Sequence, residues 1–299
     1  MKFLIIGGAG NVGHGIAQAI KQNPGNELTI IDPKINSTFE DVVYEQLEKI
    51  LLNTDIIIFS TDVGKSELYE INQDIAVDNI LHFNNCCNTI SKINPNVPIW
   101  YVGGSWTKRK PNRFWIVDED SPNKAMEESN AYERSKIQSE NNASHISSML
   151  SLKIRFVDYI SIIPNLFPDF TLCRYSEQAI LKSKIEYIDG DMGRPLLTSF
   201  IAGRMLLKII EMDDPSKMFD VFLVPGVFIE FKTFAEIAKK VVDKRLKSDI
   251  ILNPISSNQE YLRTTIKSKL FEYFDMDELK NEVLKSLDQN VVYFLGQMN

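Results

Sequence analysis

The sequence predicts an α/β protein built on a doubly wound parallel sheet, and three observations carry that reading. The opening stretch, "KFLIIGGAGNVGHGIAQAI", runs as an apolar strand, a glycine turn and an amphipathic helix. Short apolar runs then alternate with helical patterns as far as about residue 165, the signature of a parallel sheet with helices on its faces. The second apolar run, "ELTIID", closes on an acidic residue, Asp32.

The first element pair has a chemical reading. Gly7, Gly10 and Gly13 follow the apolar run, and Val12, Ile16 and Ile20 recur at helical spacing behind them. Such a turn brings backbone close to a pyrophosphate, whose charge the free N–H groups at the helix N-terminus then meet. Gly7, Gly10, Asn11, Val12 and Gly13 are therefore the candidate pyrophosphate contacts. Asp32 lies nineteen residues after Gly13. An acidic side chain there accepts hydrogen bonds from the adenosine ribose and repels a 2'-phosphate, which favours NAD over NADP. Lys34, close by, works against that preference.

The next run, "EDVVYEQLEKILLNTDIIIFST", reads as a short strand or turn, a helix, and a strand ending near Ser60 and Thr61. Ligands of such sheets sit at the carboxyl ends of the strands. Asp41 and Val42 are thus expected to flank the adenine, and Ser60 and Thr61 to line the cofactor crevice. A helix from about 71 to 92 and a strand at "PIWYVGG" follow, and Ser105 comes just after that strand, over the same crevice.

The run "NAYERSKIQSE" begins another helix. Asn130 suits its N-cap, with Glu133 as the reciprocal capping partner, so Tyr132 falls in the first turn and Lys136 one turn later on the same face. A free tyrosine has a pKa near 10, and bringing it to about 7 takes roughly 4 kcal/mol in favour of the phenolate. One ammonium at about 4 Å supplies that order of energy at an effective dielectric near 20. The pair is chemistry only beside a bound cofactor; elsewhere it is two neighbours on a helix.

With "GGAGNVG", Asp32, Ser105 and "NAYERSKIQSE" in hand, the chain resembles the extended branch of the short-chain dehydrogenase/reductase superfamily, the NAD-dependent epimerase/dehydratase family. "GDMGRPLLTSFIAGRMLLKIIE" and "FLVPGVFIEFKTFAEIAKKV" are similar to its later segments. The resemblance implies a Rossmann sheet with a smaller, interleaved C-terminal lobe for substrate. It implies Tyr132 as general acid/base, Lys136 on the nicotinamide ribose, and Ser105 on the reacting oxygen. The implied reaction is hydride transfer between the nicotinamide and a carbinol carbon of a sugar or nucleotide sugar. A further polar residue of the family, from the helix near 71, supports the lysine through water, and both Asn72 and Asp74 suit that place.

The chain also departs from the family pattern. Trp106, Thr107, Lys108 and Arg109 stand where dehydratases resemble one another in an Asp-Glu pair, which argues against a 4,6-dehydratase. Trp106 and Thr107 become candidate substrate contacts, the indole as a pocket wall or a stacking surface. Asp158 and Ile160 replace the usual asparagine and tyrosine, and Pro164 and Asn165 are the candidates for the turn near nicotinamide and substrate. The late arginine that holds a substrate diphosphate has no clear match, which leaves Arg194 and Arg263 as phosphate candidates. Lys108, Arg109, Lys110 and Arg113 form a basic cluster suited to an anionic group. A reductase of a smaller non-sugar carbonyl compound and a non-catalytic NAD(P)-binding regulator are the competing readings.

Composition bounds the rest. A formal net charge of -7 over 299 residues gives no footprint for nucleic acid. The first residues lack the length and flanks of a signal peptide or membrane anchor. Cys86, Cys87 and Cys173 form no disulfide or metal-ligand pattern, and His14, His82 and His145 are dispersed, which fits a reducing cytoplasm and no metal. The expected division is a nucleotide-binding part at 1–165, rejoined by about 198–226, and a substrate lobe within 166–299. The family's habit of dimerising through the helix near 71 and the Tyr132 helix leaves room for a homodimer.

Overall fold

The computed structural model of the chain describes residues 1–36, 38–61, 66–72, 74–104, 114–117, 126, 129–159, 162–163, 170–190, 192–256, 263–266, 268 and 270–297. Along the chain run β1 (Lys2–Ile6), α1 (Asn11–Lys21), β2 (Glu27–Ile31), α2 (Tyr44–Leu52), β3 (Ile56–Phe59), α3 (Ser66–Ile71), α4 (Asp74–Ile93), β4 (Ile99–Gly104) and β5 (Phe114–Val117). Then come α5 (Ala131–Leu150), β6 (Ile154–Tyr159), β7 (Ile162–Ile163), α6 (Phe170–Lys182), β8 (Lys184–Ile188), β9 (Gly193–Thr198), α7 (Ser199–Met212) and β10 (Phe219–Val224). The last are β11 (Val227–Glu230), α8 (Phe231–Leu246), β12 (Ile251–Ile255), β13 (Arg263–Ile266) and α9 (Met276–Gln297). Contacts divide the chain into two units: Met1–Arg109 with Glu119–Ile160 and Ala202–Val224, and Lys110–Asp118 with Ser161–Ile201 and Pro225–Asn299.

The first unit is a six-stranded parallel sheet in the order β10-β6-β4-β3-β1-β2. The chain leaves β1 to one side for β2 and returns on the other for β3, so the order reverses between β1 and β3. A crevice opens at such a reversal, beyond the carboxyl ends of the strands. The central strands are apolar on both faces because helices cover both: Ile56–Phe59 and Ile154–Tyr159 are buried throughout. The doubly wound fold expected from the sequence is the one observed.

Faces are assigned by alternation. On β6, Ile154 and Phe156 pack with Ala143 and Ile146 of α5 and Phe83 of α4 in one core cluster. Arg155 and Tyr159 point the other way. The fully buried Arg155 guanidinium donates to Asp213 Oδ1 at 2.6 Å and to the Asp214 carbonyl at 2.9 Å, and the Tyr159 hydroxyl donates to the Ala202 carbonyl at 3.0 Å. A charge this deep is tolerated because its donors are met.

The helix expected from about 71 to 92 is α4, and α3 precedes it as a separate helix. Asn72 N–H closes α3 on the Leu68 carbonyl, and the Asn72 side chain accepts the Asp74 N–H at 3.0 Å, which caps α4. Asparagine offers the backbone this alternative to a continuous helix. The stretch before α2 is a turn rather than a short strand.

The second unit holds a three-stranded sheet, β11-β9-β7, a parallel pair β12-β8 and a parallel pair β13-β5. Residues 110–118 group there because β5 pairs with β13. On α9, Leu279, Val283, Leu287, Val291 and Leu295 recur at four-residue spacing and are all buried, a single apolar stripe against α6 and α8. Among the described residues no helix is long and apolar enough to cross a membrane.

Gly203 fixes how closely α7 approaches α1: a Cβ there would lie 2.8 Å from Ile16 Cα and 2.9 Å from the Gly15 carbonyl oxygen. Both obstacles are backbone and cannot rotate away. Gly203→Ala should therefore lose about 1–3 kcal/mol of stability, measured as a lower denaturant midpoint at unchanged slope. A midpoint equal to wild type would show that these helices separate without penalty.

Candidate active site

The glycine turn after β1 is tightly built. Gly7 has φ +89°, and a Cβ on it would meet the Ser60 carbonyl oxygen at 2.6 Å; one on Gly13 would meet the Gly7 carbonyl oxygen at 2.3 Å. A side chain at Gly10 would meet only Gly7 O, at 3.5 Å, so that side of the turn is open. Gly10 caps α1 without a side chain, and the first-turn amides of Asn11, Val12 and Gly13 precede any intrahelical acceptor. Asn11 is exposed and Val12 half-buried.

Asp32 sits at the end of β2, 5% exposed, and is already employed. Its Oδ2 accepts the Ala9 N–H and its Oδ1 the Lys34 N–H, both at 2.8 Å. The carboxylate therefore ties the glycine turn to the neighbouring strand, a role the spacing did not reveal. Ser60 and Thr61 follow β3 on the same edge, and Thr61 Oγ1 is buried without a hydrogen-bond partner. Asp41 is exposed and accepts the Thr38 hydroxyl at 2.5 Å in a local turn, while Val42 packs against the core cluster.

Helix α5 begins as the sequence predicts. The Asn130 side chain accepts the Glu133 N–H at 2.8 Å, Glu133 Oε2 accepts the Asn130 N–H at 3.2 Å, and Glu70 accepts the Ala131 N–H at 3.1 Å. Three first-turn donors are thus met, and the first turn lies at the carboxyl edge of the sheet, because a crossover helix runs antiparallel to its strands.

Tyr132 and Lys136 share a face there. The Lys136 ammonium stands 5.0 Å from the centroid of the Tyr132 ring, against the π-face. The electrostatics run against the expected direction. Burial, with the Asp158 carboxylate adding to it, pushes the Tyr132 phenol up to about 12. Burial also pushes the 3% exposed Lys136 ammonium down to about 7, which Asp158 partly opposes. The lysine does not make the phenol acidic in the unliganded protein: desolvation outweighs the ammonium, and a like-charged carboxylate disfavours the phenolate.

Sequence spacing does not reveal the roles of three residues at this place, Tyr69, Asp158 and Asn79. Tyr69 of α3, 1% exposed, meets the Tyr132 ring edge-on at 5.3 Å, accepts from the Asn79 side chain at 3.1 Å and is hydrogen-bonded to Ser135. Asp158, 1% exposed, is on the α5 face of β6. Asn72 and Asp74 are instead exposed capping residues; Asn79, the polar residue of α4 that reaches this network through Tyr69, stands five positions after Asp74.

Arg194 of β9 is half-buried with its guanidinium 5.4 Å from the Phe234 ring centroid, and Arg263 opens β13; both belong to the second unit. Ser105, Trp106, Thr107, Pro164 and Asn165, with Lys108, Arg109, Lys110, Arg113 and Ile160, lie outside the described residues. The histidines are not all dispersed from other ligand atoms: His82 Nδ1 meets Glu40 Oε1 at 2.5 Å and His82 Nε2 lies 3.9 Å from Cys86 Sγ. Glu40, His82 and Cys86 thus each offer one ligand atom, and these atoms lie within 4.8 Å of one another.

No protein-family model matches the sequence, and no curated protein matches it significantly. The fold is nevertheless shared over the whole chain with solved structures. The UDP-Glc/GlcNAc 4-epimerase of Campylobacter jejuni superposes with a TM-score of 0.70 at 17% identity, covering 97% of this chain and 98% of that one. The UDP-glucose 4-epimerase of Thermotoga maritima, solved with UDP-glucose, gives 0.70 at 13% identity over 100% of both chains. The UDP-glucuronic acid 4-epimerase of Bacillus cereus, in complex with UDP-glucuronic acid and NAD, gives 0.69 at 15% identity, again over 100% of both. Likeness at these identities is likeness of fold.

Lys136 holds its proton less firmly folded than unfolded, where its value is the ordinary 10.5. It therefore opposes folding in full below about pH 7, and that opposition is lost as pH rises through 10.5. In cofactor-free protein the Lys136 amine should titrate near 7 by side-chain nitrogen NMR. The phenolate absorbance assigned to Tyr132, from the difference between wild type and Tyr132→Phe, should be missing up to pH 10. A Tyr132 midpoint below 10 would contradict the dominance of burial.

Proposed function

We propose that this chain is an NAD-dependent oxidoreductase or epimerase of the extended short-chain dehydrogenase/reductase type, acting at a hydroxyl or keto carbon of a sugar or nucleotide sugar. The observation that carries the reading is a glycine turn and a pair of half-buried Tyr132 with buried Lys136 on one edge of one parallel sheet. The structural neighbours named above support it: they are 4-epimerases of UDP-sugars, one of them solved with NAD.

The residues present fit a dinucleotide. The turn is open at Gly10, three first-turn amides of α1 are available, and Thr61 Oγ1 is a buried hydroxyl that still lacks a partner. Gly7, Gly10, Asn11, Val12 and Gly13 would hold the pyrophosphate, Asp32 the ribose, and Ser60 and Thr61 the crevice wall. Asp32 has lone pairs to spare after its two backbone bonds, so it can serve the turn and the ribose together. NAD, when bound, supplies the hydride acceptor for a carbinol carbon.

The chain's own residues handle the proton. Tyr132 is the acid/base: its phenolate takes the proton of the reacting alcohol, and the phenol so formed returns it in the reverse direction. Lys136 stabilises the phenolate and holds the ribose. Ser105 aligns the reacting oxygen. Arg194 and Arg263 are the proposed contacts to substrate phosphate, and Trp106, Thr107 and Asn165 line the substrate pocket.

Tyr132→Phe should lower turnover by about 10²–10⁴-fold while NAD affinity changes little. Incubation with NAD and a panel of UDP-sugars, followed by NMR of the sugar, should show interconversion of epimers or formation of the keto sugar. Consumption of NADH by small ketones, with no UDP-sugar bound, would move the assignment to a smaller carbonyl substrate. An activity indifferent to the tyrosine would sink the acid/base role altogether.

A further inference from the structure

Asp158 has no part in the chemistry just described, yet it is a carboxylate 1% exposed at the carboxyl end of β6. Its place follows from register. Tyr101 of β4 pairs with Phe156 of β6, and the Tyr101 hydroxyl is hydrogen-bonded to Ser139 of α5. Asp158 is two residues further along the same strand face, about 6.6 Å toward the carboxyl edge. Lys136 is three residues earlier than Ser139, about 4.5 Å toward the same edge. Gly103, opposite Asp158 on β4, has no side chain, and the Phe156 ring lies over it. Strand and helix thus bring the carboxylate beneath the first turns of α5, and its field acts on both Lys136 and Tyr132.

We propose that Asp158 is a positioning residue, the buried counter-charge of Lys136, and that it governs when Tyr132 gives or takes a proton. The inference deepens the function proposed above and rests on it for its catalytic meaning. Among the described residues, Asp158 is the carboxylate whose charge acts on both Lys136 and Tyr132. Tyr69 from α3 and Tyr101 from β4 are phenols that burial holds neutral, each pushed up to about 12, and burial keeps the Cys86 and Cys87 thiols of α4 protonated. Glu70 and Glu133 serve the N-terminus of α5, and His82 is paired with Glu40. Arg155 lies on the far face of β6 against Asp213. Glu140, one turn beyond Lys136 on α5, is half-buried.

The carboxylate has opposite consequences for two directions of reaction. It stabilises the ammonium and the neutral phenol together, so the resting site is a proton donor. Taking a proton from an alcohol needs the phenolate, which Asp158 disfavours. Removing the charge should therefore favour alcohol oxidation at lower pH.

The test is Asp158→Asn, with Asp158→Glu as the conservative control. In cofactor-free protein, Asp158→Asn should lower the titrations of both Tyr132 and Lys136 by about one unit or more, and Asp158→Glu should restore them toward wild type. With NAD and a sugar substrate, the pH profile of the oxidative half-reaction should move to lower pH by a similar amount. Unchanged titrations in Asp158→Asn overturn the proposal, whatever the activity; shifted titrations in a protein with no sugar turnover support it and count against the functional reading alone. Should Asp158→Asn not fold, Asp158→Asn with Lys136→Met should restore folding by removing both charges. Failure of that rescue overturns the pairing as well.

Discussion

An ammonium almost wholly removed from water must be answered by another charge, and at Lys136 that requirement shapes the end of the sheet. Desolvation of such a group costs several kcal/mol if nothing offsets it. The groups that meet it come from different parts of the sequence: the Tyr132 ring from its own helix and the Asp158 carboxylate from β6. The rest of the first unit holds these in place. The capping box fixes where α5 begins, the pairing of β4 with β6 fixes the depth of Asp158, and the Arg155–Asp213 pair anchors the opposite face of the same strand.

Much of this fold was legible because it is written in local periodicity. The glycine turn and the Asn130–Glu133 cap depend on residues near one another in the chain, and the structure places them where spacing does. The break between α3 and α4 was less legible, since a single asparagine side chain decides it. Asp158 was visible as a departure from a pattern but not as a partner of Lys136. Its facing depends on which side of β6 receives α5, a matter of packing rather than sequence spacing. Tyr69 was missed for the same reason: its contact with Tyr132 joins α3 to α5 across some sixty residues of chain.

The sign of the tyrosine shift illustrates a more general limit. Spacing along a helix gives the distance between Tyr132 and Lys136 but not the dielectric around them. Coulomb attraction was reckoned from that distance, whereas the structure adds the loss of water from both groups and a carboxylate from another strand. Burial disfavours the charged form of each partner, so a buried Tyr–Lys pair starts out neutral rather than zwitterionic. Asp32 teaches a similar lesson, because its carboxylate is needed by the turn before any ligand arrives.

A site prepared in this way responds to charge delivered from outside. In the resting protein the Asp158 carboxylate balances the lysine and holds the phenol protonated. Positive charge introduced beside Tyr132 acts against Asp158 directly, lowering the phenol's hold on its proton by an amount that depends on the same low dielectric that raised it. Under the proposed function, proton abstraction is then conditional on a bound cationic group, while donation by the neutral phenol is available beforehand. The glycine turn and the first turn of α5 lie on one edge of one sheet, so a dinucleotide held at the turn and long enough to reach Tyr132 would couple occupancy of the turn to the acidity of the phenol.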